Sequence, residues 1–233
     1  MLEIKDLYVG YYKDLNILQG VSITAQKAKI TTVLGANGVG KSTLLKAIYG
    51  FLKPNSGEVI IDGQNLIGIP THKRIDMGIS YIPQQPGVFR WMTVEENLEL
   101  GAWTFKNDKA RIRRKIEENY ERFPMLKDRR KSKAGELSGG MQRMVEVGRT
   151  LMTDPKVTLV DEPTAGLAKL LSEEVYQMLI QLRDEEGMTI VLVDQNIRQA
   201  LKIADYVYVL ELGRNRFEGP VEEFTDLKKA FWA

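Results

Sequence analysis

The chain of 233 residues predicts an α/β fold around a largely parallel core sheet. Short apolar runs at Ile30–Leu34, Ile79–Ile82, Val157–Val160 and Thr189–Val193 alternate with segments of helical periodicity. A glycine-rich stretch joins the first of these runs to a helix. Residues from about 93 to 152 contain no strand and read as an all-helical insertion. Short strands before and just after the glycine-rich stretch add a small antiparallel sheet. The expected division is a core with its antiparallel part over 1–85 and 145–233, and a helical part over about 86–144.

Taken in order, Leu2–Val9 alternates as a strand, and Val21–Ala25 and Val59–Ile61 read as two more, the last closing in the turn Asp62-Gly63. Between the first two lies Tyr11-Tyr12. A ring there is able to stack on a purine, although packing is the commoner role of a tyrosine near a strand end. Ile79–Ile82 stops at Pro83 and is followed by Gln84. A glutamine at the C-terminal end of such a strand reaches the crevice where ligands bind, within range of Mg²⁺ or water; alone it would be an ordinary loop residue. Thr93-Val94-Glu95-Glu96 is a capping box that starts a helix. Ile112, Ile116, Tyr120 and Phe123 recur at helical spacing as a core stripe beneath a charged face. Phe89, Trp91, Met92 and Trp103 cluster nearby, either as core, the default for such residues, or as an exposed patch awaiting a partner.

Lys131–Glu136 is a polar linker into Leu137-Ser138-Gly139-Gly140-Met141-Gln142. Ser138 suits an N-cap, and the glycines leave backbone N–H groups open, so this is either a second anion-accepting helix start or simply a capped one. Val157–Val160 ends in Asp161-Glu162. Val175, Met178, Leu179 and Leu182 follow the i, i+3, i+4, i+7 pattern of a helix. Thr189–Val193 ends in Asp194-Gln195-Asn196. A helix around Ile197–Ala204, a strand at Tyr206–Leu210, a turn at Leu212-Gly213-Arg214 and a short terminal helix over Val221–Ala233 complete the order. There are no internal repeats.

The chemistry centres on Gly35-Ala36-Asn37-Gly38-Val39-Gly40-Lys41-Ser42, which fits G-x-x-x-x-G-K-[S/T] between a strand and a helix. Gly35, Asn37, Gly38 and Gly40 let consecutive N–H groups curl around phosphate oxygens, and the helix that continues through Thr43 adds its free N–H groups and positive dipole end. Lys41 is placed to reach the β- and γ-phosphates and the Ser42 hydroxyl to ligate Mg²⁺. Adjacent carboxylates at a strand end are costly without a positive partner. Mg²⁺ supplies one at Asp161, leaving Glu162 to polarise a water.

Composition narrows the rest. A net charge of +2 gives no reason to expect a nucleic-acid partner. The absence of cysteine rules out disulfides, thiolate metal sites and thiol catalysis. The single histidine, His72, is read in a polar turn without a partner for catalysis. No run reaches the roughly 18 apolar residues of a membrane span, and Met1-Leu2-Glu3-Ile4-Lys5 lacks a signal-peptide core. The expectation is a soluble cytoplasmic chain that meets a membrane only through partners.

Together these features resemble the ATP-binding subunit of an ABC transporter over essentially the whole chain. The motifs stand in that family's order: the loop at 35–42, Gln84, Leu137-Ser138-Gly139-Gly140, Val157–Glu162 and a loop at 163–168. The resemblance implies a RecA-like P-loop nucleotidase core, ATP and Mg²⁺ as cofactors, and ATP hydrolysis coupled to transport. It implies that Tyr12 stacks on adenine and that Gln84 senses Mg²⁺ and the γ-phosphate. Asp161 would join Ser42 on Mg²⁺, and Glu162 would be the general base. Ser138, Gly139 and Gly140 would hold the γ-phosphate of ATP bound to an opposite subunit, two chains closing head to tail. The implied partners are transmembrane permease subunits, a second ATPase chain (or a homodimer in isolation) and, indirectly, a substrate-binding protein, with the chain at the cytoplasmic face of the membrane.

Two positions depart from the family pattern. Gln195 stands where a histidine is usual, and Ala168 where an aspartate is usual in the loop after Glu162. Gln195 can donate to the γ-phosphate but carries no charge. Gly166-Leu167-Ala168 and Val193–Asn196 resemble the second, F-type ATPase subunit of branched-chain amino acid importers. Tyr81–Gln84 with Phe89-Arg90 also resembles lipopolysaccharide-export ATPases. Other classes are a soluble ABC-type ATPase working on nucleic acid or ribosomes, which a single phosphate loop disfavours, and a non-hydrolysing ATP-dependent module, which Gln195 leaves open.

Overall fold

The structure is a computed structural model that describes residues 1–12, 15–85 and 87–224. Its strands are β1 (Leu2–Val9), β2 (Leu18–Ala25), β3 (Ile30–Gly35), β4 (Ser56–Ile61), β5 (Gln64–Asn65), β6 (Ile79–Ile82), β7 (Val157–Asp161), β8 (Thr189–Val193), β9 (Tyr206–Glu211) and β10 (Arg214–Pro220). They form an antiparallel sheet ordered β2-β1-β4-β5 and a larger sheet ordered β10-β9-β3-β8-β7-β6. In the larger sheet every pairing is parallel except the edge pair β9–β10.

Register explains where a site must fall. Val33 pairs with Val193, Asp161 with Val193, and Ile82 with Val160, so β3, β8, β7 and β6 all end along one edge. The chain leaves β3 between two neighbours that come much later in sequence, β8 and β9, which is the switch point where open α/β sheets bind ligands.

The inner strands β3, β7 and β8 of the larger sheet are buried on both faces, whereas the edge strand β10 is polar and largely exposed. Ile30, Leu34, Val160, Ile190 and Leu192 join one core with the helical part. Val33, Leu159, Val191 and Val193 face the other way, against the antiparallel sheet and α1 (Lys41–Tyr49).

The remaining helices are α2 (Thr71–Asp76), α3 (Val94–Leu100), α4 (Lys109–Arg122), α5 (Pro124–Asp128), α6 (Gly139–Leu151), α7 (Lys169–Glu186) and α8 (Ile197–Ile203). Thr93 and Glu96 form the expected capping box on α3. The α4 stripe is buried as expected, with Tyr120 at 1 % exposure. α6 runs unbroken across residue 144, where the sequence suggested a boundary.

Three expectations change. His72 lies in α2 rather than a turn, a helix too short for its periodicity to register. Of the predicted terminal helix, Val221–Phe224 is a single 3₁₀ turn, and 225–233 lie outside the described residues. The aromatic cluster is not core: Trp91 is 86 %, Trp103 69 % and Phe89 53 % exposed, while Met92 is half-buried. The buried apolar residues of this stretch are Val94, Leu98 and Ala102, and the rings lie under cations instead: Lys133 over Trp91, Lys106 over Trp103 and Arg149 over Phe89.

Candidate functional site

The loop between β3 and α1 turns on Gly40, which has φ 111°. A Cβ there would stand 2.6 Å from Leu18 Cδ2 on the neighbouring sheet, so both backbone and space call for glycine. The turn aims the first N–H groups of α1 into a cavity of about 430 Å³. Asn37, Gly38, Gly40, Lys41, Ser42 and Thr43 line it from one side, and Gln84, Glu162 and Gln195 from the other. Lys41 is folded over the loop, Nζ donating to the carbonyls of Gly35 at 2.9 Å and Ala36 at 3.0 Å. Burial lowers its pKa, opposed by the charges of Glu162, Asp161 and Asp194.

Two carboxylates close the floor. Asp161 is buried and accepts from Ser42 Oγ at 2.9 Å on one oxygen and from Tyr81 Oη at 2.9 Å on the other. Burial, then Asp161 itself, push the Tyr81 phenol well up, so it stays a donor. Glu162 follows in the left-handed backbone region at φ 44°, an outlier for a carboxylate residue and one that turns its side chain off the strand. Its N–H donates to the Val193 carbonyl at 2.8 Å. Glu162 Oε2 accepts from Gln84 Nε2 at 2.7 Å and from Gln195 Nε2. Burial raises the Glu162 carboxyl, and the Gln195 hydrogen bond lowers it in part.

Asp194, beside Gln195, is also buried, which raises its carboxyl. It accepts from Tyr176 Oη at 2.8 Å and from the Asn196 N–H at 2.8 Å, contacts that hold the turn after β8.

The donor set suits a hard divalent cation. Among the described residues no group of three histidine, cysteine or acidic side chains is arranged to hold a metal ion by itself, so the protein offers a hydroxyl and a carboxylate, Ser42 and Asp161, already in contact. Such a pair holds Mg²⁺ when phosphate oxygens and water complete the shell. A triphosphate with Mg²⁺ fits this cavity, with a carboxylate held by two neutral carboxamides at its far wall.

Several predicted residues lie apart. Tyr12 is 76 % exposed, and Tyr11 is the tyrosine that lines the cavity. Gly35 faces an adjoining pocket of about 540 Å³ behind the loop. Ser138 caps α6, its Oγ accepting from the Met141 N–H at 3.3 Å, but Ser138, Gly139 and Gly140 do not line the cavity. Gly139 and Gly140 instead approach Leu167 and Leu171.

Sequence reasoning missed the clamp behind Gln84. Arg143, 1 % exposed, donates to the carbonyls of Pro83 and Gln84 at 2.7 Å each and to Glu146 Oε2 at 2.6 Å. Glu146 Oε1 accepts from the Gly87 N–H at 2.8 Å, and Arg149 donates to the Gly87 carbonyl at 2.8 Å. The available signal was a charged pair three apart on the face of α6 that also carries Gly140 and Val147.

Comparison with known proteins decides what this cavity belongs to. The ABC transporter family profile matches residues 18–165, from β2 through the loop after β7. The chain belongs to the ABC transporter family. As a member it is an ABC ATPase; cassettes of this family bind ATP and ADP, dimerise and work with membrane permeases. It is 41 % identical over 229 residues to a probable branched-chain amino acid transport ATP-binding protein, LivF, of Archaeoglobus fulgidus, covering 98 % of this chain and 96 % of the relative. It is 43 % identical over 204 residues to the high-affinity branched-chain amino acid transport ATP-binding protein BraG of Pseudomonas aeruginosa, covering 88 % of this chain and 86 % of the relative. The lipopolysaccharide export ATP-binding protein LptB of Haemophilus influenzae is 32 % identical over 214 residues, covering 91 % of this chain and 88 % of the relative. Among solved structures, an ATP-binding cassette of an ABC transporter in its ADP conformation superposes with a TM-score of 0.87 at 30 % identity, covering 100 % of this ABC ATPase and 95 % of that chain.

Proposed function

We propose that this chain is the ATP-hydrolysing subunit of a branched-chain amino acid transporter, seated on permease subunits at the cytoplasmic face of the membrane. The observation that carries the catalytic part is Glu162, a carboxylate turned into the phosphate-loop cavity and held there by Gln84 and Gln195. The substrate class rests on the names of the relatives matched at 41 % and 43 % identity, against 32 % for the lipopolysaccharide-export relative.

In this reading the N–H groups of Gly38, Gly40 and the first turn of α1 grip the phosphates, and Lys41 exchanges its carbonyl partners for β- and γ-phosphate oxygens. Ser42 and Asp161 hold Mg²⁺. The cation supplies the charge that offsets the phosphate oxygens. Glu162 takes the proton of the attacking water, and its raised pKa brings it closer to the pH at which a general base is most effective. Gln84 and Gln195 orient that water and the γ-phosphate. Tyr12 covers the adenine. Ser138, Gly139 and Gly140 serve the nucleotide of a facing chain, either a second ATPase subunit or another copy. The segment of about 86–144 acts as a helical unit, and its exposed Phe89, Trp91 and Trp103 meet the permeases.

The test is reconstitution. The chain, co-expressed with permeases and a second ATPase of a branched-chain amino acid transporter from the same organism, should co-purify with them and drive ATP-dependent leucine uptake into vesicles when the cognate binding protein is added. Lys41→Ala should abolish that uptake. Hydrolysis without uptake of leucine, isoleucine or valine would refute the substrate class alone.

A further inference from the structure

Asp161 has both carboxylate oxygens engaged, one by Ser42 and the other by Tyr81, each at 2.9 Å. The proposed reading gives Ser42 and Asp161 a metal; it gives Tyr81 nothing. Yet Tyr81 is tied to both. On β6 it pairs with Leu159, two residues before Asp161 on β7, so ring and carboxylate share one face of the sheet. The ring also stacks on Tyr49 at 5.4 Å between centroids and meets Phe51 edge-on at 5.7 Å. Tyr49 is the last residue of α1, the helix whose second residue is Ser42.

We propose that Tyr81 is a positioning residue for the metal side of the site: its hydroxyl fixes the Asp161 carboxylate, its ring fixes α1, and together they set the Ser42–Asp161 spacing that a divalent cation needs. With Oδ2 occupied by the phenol, Asp161 turns Oδ1 toward Ser42, the side on which the two residues would hold a divalent cation. Without the phenol the carboxylate is free to rotate about its Cβ–Cγ bond and meets the cation less often in the right pose. Outer contacts of this kind commonly change metal affinity by a factor of about 10 to 100. The same ring lines a cavity of about 250 Å³ shared with Trp103 and Thr150, so whatever fills that groove touches the residue that steadies Asp161.

This inference rests on the Mg-ATP reading, and the experiment separates the two. Tyr81→Phe keeps the ring and its stacking and removes only the hydroxyl. Binding of a fluorescent ATP analogue is measured first in EDTA and then along a Mg²⁺ titration, for the parent chain and for the variant. The expected result is equal affinity in EDTA, a half-saturating Mg²⁺ concentration roughly tenfold higher in the variant, and recovery of most of the ATPase kcat at saturating Mg²⁺. In an Asp161→Asn background the same Tyr81→Phe change should leave the Mg²⁺ titration unmoved. A merely structural tyrosine would lower the melting temperature with superimposable titrations, which overturns the proposal while leaving the Mg-ATP reading intact. A parent chain that binds no nucleotide would overturn both. Should Tyr81→Phe not fold, Tyr49→Leu, which loosens the stack and leaves the phenol in place, should still raise the half-saturating Mg²⁺; no change there also overturns it.

Discussion

The two glycine-rich turns of this molecule are built alike and finished differently. Each starts a helix, one at Gly40 with no side-chain cap and the other at Ser138, whose hydroxyl accepts from the Met141 N–H ahead of Gly139 and Gly140 in the first turn. The first faces a cavity whose opposite wall is already in place, with Gln84, Glu162 and Gln195 delivered by the ends of β6, β7 and β8. The second does not line that cavity: Ser138 is exposed, and the glycines approach Leu167, Leu171 and the Glu174 carboxylate of their own chain. In the proposed reading the machinery for hydrolysis is assembled within one chain, whereas the second turn serves a phosphate brought by another.

The contrast is broken most directly by removing one element from each turn. Glu162→Gln should lower kcat by about 10³-fold, the range for loss of a general base, while ATP affinity is kept. On ATP addition, sedimentation should then show a trapped dimer, with the partner ATPase supplied if the pair is a heterodimer. Gly139→Asp should lower ATPase by about 10²-fold, the scale of a lost phosphate-stabilising group. An acidic residue suits a helix N-terminus, so the variant should melt like the parent. Its single-chain ATP affinity should stay within about twofold, because the residue lies outside the cavity. Equal loss of nucleotide binding in monomers would erase the distinction between the turns.

Arg143→Met sharpens it from behind. It strands a buried Glu146 and frees two carbonyls, which should cost about 3–5 kcal/mol and lower Tm by roughly 10 °C. Arg143→Met with Glu146→Leu should recover only the part due to the stranded charge, because the Pro83 and Gln84 carbonyls and the Gly87 N–H stay unpaired at about 1 kcal/mol or more each; thermal melts of the three proteins decide. The smallest effect concerns pH. Burial raises Glu162, so the acid limb of the ATPase profile should lie above the ordinary glutamate range, activity falling as pH drops and the carboxylate gains its proton. The Gln195 bond holds that pKa down in part, so Gln195→Leu should move the limb to higher pH while lowering the plateau by less than about tenfold.

Contiguous features were legible in the sequence because their physics is local. The phosphate loop, the Thr93–Glu96 box and the strand ends at Asp161 and Gln195 each lie within a few residues of chain. What escaped depends on neighbours distant in sequence. Tyr81 looked like any β-strand residue until β6 was laid beside β7, and Arg143 like a helix surface charge until Pro83 and Gln84 were set against it. Trp91 and Trp103 misled in the opposite direction: hydrophobicity argued for burial, but the buried apolar residues of that stretch are Val94, Leu98 and Ala102, and the rings lie outside. The left-handed backbone of Glu162 has no signature in residue type at all.

Arg143 does to this chain what a crosslink does to a loop. Its guanidinium stitches carbonyls 60 and 59 residues upstream to the first turns of α6, pinching the whole helical excursion shut at its neck. Amide protons on both sides of that neck should thus exchange with solvent in one cooperative opening, made more frequent by Arg143→Met.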